Sequence, residues 1–146
     1  MPPTDQPRPV RTPRAPLPAG HYSQAIVHGG VVYVSGQLPI DPARGPIGPG
    51  EALPPIEEQT RRALDNLHEV LLAAGSGSAH VLRCTVYISD VALWPAVNRV
   101  YAEHFTKHTS VPPARTVVPT GPLHYGYQVE VDAVAVVAPP AGPEAV

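Results

Sequence analysis

The segment YQVEVDAVAVV, residues 127–137, sets Val129, Val131, Ala133 and Ala135 against Gln128, Glu130 and Asp132 before a wholly apolar end. Alternation at a period of two is the pattern of a β-strand with one face turned toward a core. Working outward from it, Ile56 to Ala74 repeats Ala63, Leu64, Leu67, Val70, Leu71 and Ala74 at three-and-four spacing and stops at Gly75. That is a helix with one burying face and a glycine where a C-terminal cap belongs. A second helix is predicted from Leu93 to Phe105, with Trp94, Val97, Tyr101 and Phe105 on one face and Pro95 in its first turn, and Val111-Pro112-Pro113 beyond its end. Gln24–Val27 and Val31–Ser35 flank His28-Gly29-Gly30 as an opening hairpin. Val81–Ile88 and Ala114–Val118 read as further strands.

The predicted order is ββαβαββ. Two helices cannot cover both faces of such a sheet, so the fold class is α+β, a mixed sheet with both helices on one face. The bare face then needs a partner. An oligomer is expected, with a pocket where subunits meet.

The chain has 146 residues, room for one domain. Its 21 prolines crowd the first eighteen residues and the C-terminal PPAGPEAV. Residues 1–20 and 139–146 are therefore expected to be flexible, PPII-like ends around a folded domain spanning 21–138. With 43% hydrophobic residues and no apolar run near the roughly 18 residues of a spanning helix, no membrane segment is expected. A net charge of -2, with 10 scattered Lys and Arg, argues against nucleic acid as the main partner. The single cysteine, Cys84, cannot form an internal disulfide. That fits a reducing compartment, and the proline-rich N-terminus lacks an apolar signal core, so a cytoplasmic location is expected.

Phosphate-loop, dinucleotide, zinc-protease and CxxC signatures are absent, and no nucleophile elbow frames a serine. His104 and His108, four apart, read as surface residues at a helix end, because a metal needs three or four ligands and no third is evident nearby. Arg115, near the start of an apolar strand, either pairs with a carboxylate of the protein, lies exposed at an edge, or awaits an external anion. Glu130 either points to solvent or projects beside Arg115 into one cleft. Pattern alone does not choose.

The ordered set His21-Tyr-Ser-Gln-Ala, Val34-Ser-Gly-Gln-Leu-Pro, Gln59-Thr, Asn66-Leu, Thr85-Val-Tyr with Asp90, Asn98 and Tyr101, Pro113-Ala-Arg115 and Val129-Glu-Val-Asp-Ala133 resembles the RidA family, also called YjgF/YER057c/UK114, over residues 20 to 138. The resemblance implies a chorismate mutase-like fold and a homotrimer with clefts between subunits. It also implies cofactor-independent hydrolysis of enamines and imines, the 2-iminoalkanoates, to 2-oxo acids and ammonia, with no metal, flavin or nucleotide. Arg115 is then the carboxylate anchor and Glu130 the proton shuttle, while Tyr22, Ser35, Gly36, Asn98 and Val117 line the cleft. The chain departs from the family in Gly20-His21, where Gly-Pro is common, and in Val117, where many members carry a cysteine. It departs again in Thr120–Tyr127, an aromatic stretch whose His124 offers an imidazole for proton transfer. Rival readings are a 2-oxo acid binding module, a ribonuclease or translation inhibitor, and a dedicated step of specialised metabolism.

Overall fold

The computed structural model describes residues 6–140. Its strands are β1 (Arg8–Val10), β2 (Ala25–His28), β3 (Val31–Gln37), β4 (Val81–Ile88), β5 (Ala114–Pro119) and β6 (Val129–Val136). The helices are α1 (Ile56–Ala73) and α2 (Trp94–Thr106). One sheet runs β1-β2-β3-β6-β4-β5, antiparallel except for the β4–β5 pair, which α2 connects as a parallel crossover. The expected mixed α+β architecture is present, with one strand added at the front. No helix among the described residues is long and apolar enough to cross a membrane.

That added strand corrects the reading of residues 8–20 as a flexible end. Pro9 lacks an amide hydrogen, but it sits mid-strand at the sheet's edge, opposite Ile26, where a missing donor is tolerated. Prolines cannot hydrogen bond to one another, so a side chain orders the rest. The Gln24 amide, 1% exposed, accepts from Thr12 N at 2.7 Å and donates to Thr12 O at 3.0 Å and Pro16 O at 2.9 Å. The expected C-terminal tail lies outside the described residues from 141 onward.

α1 follows Pro55, carries Glu57 and Glu58 in its first turn where they meet the positive end of the helix dipole, and is terminated by Gly75 with φ 80°. There Ser76 N donates to Leu71 O and Gly75 N to Leu72 O, a Schellman closure that needs the left-handed residue. Its face of Ala63, Leu64, Leu67, Val70 and Leu71 is fully buried against Val129, Val131, Ala133 and Ala135 of β6 and their neighbours on β3 and β4. Each of the buried leucines and valines contributes about 1.5–3 kcal/mol. Val97, Tyr101 and Phe105 of α2 join the same core, so both helices cover one face.

Two buried amides fix the connections. Asn66 donates to Leu38 O at 3.0 Å and Ile40 O at 2.8 Å, pinning the chain after β3. Gln59 accepts from Gln128 N at 2.9 Å and donates to Gln128 Oε1 at 3.0 Å, setting where β6 starts. The other sheet face carries Tyr33, Thr85, Tyr87, Glu130, Asp132 and Val134, joined by the register of β3, β6 and β4 and covered by no helix among the described residues. Tyr33 is 51% exposed there.

Candidate functional site

β5 is the outer strand beside β4, and its register sets Arg115 opposite Cys84 and Val117 opposite Val86, both core positions. Arg115 and Val117 therefore project on the helix side of the sheet. The guanidinium stays exposed at this edge, its carbon 4.6 Å from the Trp94 ring centre and 4.8 Å from that of Tyr101. Its Nη1 donates to Asn98 Oδ1 at 2.9 Å. Trp94, Asn98 and Tyr101 share one face of α2, so the helix supplies two aromatic surfaces and one acceptor to a single cation. Among the described residues no carboxylate pairs with Arg115, which disposes of an ion pair within that part of the chain. Asn98 is a partner of the arginine rather than a merely solvated helix residue.

The second cluster is built by a bulge. Between Val34 and Gln37, β3 has one residue more than β6 opposite it, so the ladder skips at Ser35-Gly36. Gly36 thereby comes against the Glu130 side chain: a Cβ there would collide with Oε1 and stand 3.0 Å from Cδ. Ser35 Oγ donates to Ser23 O at 2.6 Å, which ties the bulge to the segment before β2. Tyr22, 53% exposed, lines a cleft of about 340 Å³ with Gly36, Leu38, His124 and Tyr125. The 120–127 segment reaches this cleft through a turn in which Tyr125 has φ 61° and Gly126 φ 81°.

Partial burial pushes the Glu130 carboxyl above the usual carboxylate range, with His124 opposing and Asp132 adding to the rise. Asp132 itself accepts a hydrogen bond from Tyr87 at 2.9 Å. Burial drives the Cys84 thiol up to about 12, so the lone cysteine behind Arg115 is no nucleophile.

The residues singled out from sequence thus fall into two groups. Arg115, Val117 and Asn98 lie on the helix side of the sheet, joined by Trp94 and Tyr101, which the helical pattern had marked only as core. Tyr22, Ser35, Gly36 and Glu130 gather at the bulge with His124. Glu130 stands opposite Tyr87 and Arg115 opposite Cys84, so within one chain they face opposite ways. The expectation of a shared cleft is not met inside a single subunit, because strand parity separates the two.

Residues 12–137 match the profile of the family described as endoribonuclease L-PSP. Protein DfrA of Myxococcus xanthus is 38% identical over 129 residues, 87% of this chain and 93% of that protein. The 2-iminobutanoate/2-iminopropanoate deaminase of Capra hircus is 39% identical over 130 residues, 89% of this chain and 90% of its own. Two Escherichia coli crystal structures, TdcF with bound serine and the YjgF gene product, each superpose with a TM-score of 0.82 at 30% identity, over 90% of this chain and 99% of theirs. With the fold and the Pro113-Ala-Arg115 motif in place, the chain belongs to the RidA (YjgF/YER057c/UK114) family.

Proposed function

We propose that this protein hydrolyses 2-iminoalkanoates to 2-oxo acids and ammonia, in clefts formed where the Arg115 edge of one subunit meets the Glu130 bulge of the next in a homotrimer. The observation that carries the reading is Arg115: a cation held over two aromatic rings by Asn98, with no carboxylate partner among the described residues. Such a guanidinium is preorganised for a planar carboxylate through two parallel hydrogen bonds. Gripping the carboxylate of an imino acid fixes the adjacent C=N carbon for attack. Val117 beside it leaves this wall apolar, without thiol chemistry.

Hydration needs a group that accepts a proton and returns it. Glu130 as carboxylate takes a proton from water as its oxygen bonds to the iminium carbon, giving a carbinolamine. The resulting carboxyl then donates that proton to the amine, and as the C–N bond breaks the hydroxyl proton passes through water to the departing ammonia, leaving the 2-oxo acid, ammonium and the Glu130 carboxylate. A carboxyl raised by burial is suited to both halves, since proton transfer is most effective when the pKa lies closer to the working pH. Tyr22, His124 and Tyr125 wall the cleft where the side chain of the substrate would lie. The similarity to proteins named as deaminases supports the same reaction.

The binding of serine by TdcF favours one alternative, a carboxylate-binding module without turnover. A direct assay separates them. With 2-iminopropanoate generated by an amino-acid oxidase and semicarbazide present as trap, the wild type lowers semicarbazone formation, Arg115→Ala does not, and Glu130→Gln still binds 2-oxo acid without turnover. A wild type indistinguishable from buffer, with longer imines as well, would leave only the binding reading.

A further inference from the structure

Apart from both clusters, the two helices bring three imidazoles together. His68 comes from the middle of α1, His104 from the last turn of α2, and His108 from just beyond that helix. One ring nitrogen of each lies within 4.8 Å of those of the other two. The ring centres are 4.7 Å apart for His68 and His108, 5.0 Å for His104 and His108, and 6.0 Å for His68 and His104. Ser78, buried at the turn after α1, places its hydroxyl 2.8 Å from His68 Nδ1 and 2.9 Å from His104 Nε2. One hydroxyl therefore fixes two of the rings. No carboxylate among the described residues bonds to any of the three.

We propose that His68, His104 and His108 form a binding site for a divalent transition metal of borderline softness, with Zn²⁺ its representative. The third ligand that sequence spacing could not supply comes from the neighbouring helix. Three imidazoles with one position left to water make a common tetrahedral donor set for Zn²⁺, whereas Mg²⁺ and Ca²⁺ require oxygen ligands. Tetrahedral bonds of about 2.0–2.1 Å need the nitrogens about 3.4 Å apart, so the cluster must tighten. His108 lies past the helix end, where side chain and backbone can give. Burial lowers His68 and pushes His104 down to about 4, which favours the neutral, metal-binding form of these two rings. Of the charges facing the cluster, Lys107 opposes a cation, while Asp65 and Glu69 beside His68 offset it. A bound metal would clamp the end of α2 to α1 and stabilise the folded chain by mass action.

The test uses the full chain stripped by chelation, titrated with ZnCl₂ by calorimetry and melted with and without the metal. One Zn²⁺ per chain is expected, with a rise in Tm of about 5 °C at saturation. Each of His68→Ala, His104→Ala and His108→Ala is expected to weaken binding at least about tenfold, while His28→Ala and His80→Ala match wild type. MgCl₂ is expected to shift nothing. His108→Ala, outside the helix, keeps the test decisive if the two helical variants fold poorly. Absence of stoichiometric binding, or affinity unchanged in the His108 variant, overturns the proposal. Since only binding is read, the outcome is independent of whether the protein is a deaminase.

Discussion

Arg115 stands opposite Cys84 across the β5–β4 ladder, and Glu130 stands opposite Tyr87 across β6–β4. Cys84 and Tyr87 are three positions apart on one strand, so the cation and the carboxyl leave the sheet from opposite faces. On the proposed mechanism, a single folded chain would therefore hold both groups and still lack a complete site. A second copy, docking its Arg115 edge against the bulge, would supply what strand parity withholds.

Arg115→Lys should fail nearly as badly as Arg115→Ala. An ammonium keeps the charge but cannot reproduce two parallel bonds or stack on Trp94, so kcat/KM for 2-iminopropanoate should fall about 10²-fold. Steady-state kinetics on the two variants would show it; a lysine enzyme within a factor of three of wild type would mean that charge alone suffices.

Gly36→Ala should impair turnover while sparing the fold. The new methyl group must displace the Glu130 carboxyl. We expect kcat to drop about tenfold or more, with substrate binding at Arg115 little changed and Tm within a few degrees of wild type.

The pH dependence follows from the raised Glu130 carboxyl. The acidic limb of kcat/KM should lie above the ordinary glutamate range and disappear in Glu130→Gln. His124→Ala removes an opposing positive charge and should move that limb to higher pH, whereas Asp132→Asn should move it lower. Stability carries the same sign. A group raised on folding favours the folded state fully below its unfolded pKa, about 4.3, and loses that contribution as pH rises through the folded value. Melts of Glu130→Gln should therefore gain on wild type as pH increases through this window.

Leu67→Ala, at a position with no exposure, should cost about 2–5 kcal/mol in denaturant unfolding. Cys84, with its thiol at about 12, should resist alkylation in the native protein and react only on unfolding.

The helices and β6 were legible in the sequence because their apolar residues keep one period along the chain, Leu64 to Leu71 at three-and-four spacing and Val129 to Ala135 at two. β1 was not, because proline density reads as extended coil, and only the ladder to β2, with Gln24 holding Thr12 and Pro16 behind it, turns the segment into an ordered edge. Arg115 and Glu130 were identifiable as candidates, and their separation by strand parity emerged only from the register. Trp94 and Tyr101 looked like core. The signal that could have distinguished them is Asn98, a polar residue on their own helical face. His68 was invisible as a partner of His104 and His108, since nothing local links mid-α1 to the end of α2.

In the proposed homotrimer each cleft takes Arg115 from one subunit and Glu130 from another. Arg115→Ala and Glu130→Gln, each inactive alone, would be mixed in equal amounts, unfolded, refolded together and assayed for suppression of semicarbazone formation. If each site draws from two randomly mixed chains, half the donors keep Arg115 and half the acceptors keep Glu130, so about a quarter of wild-type activity should return. Activity no greater than the sum of the separate variants would mean that the two residues do not meet across subunits.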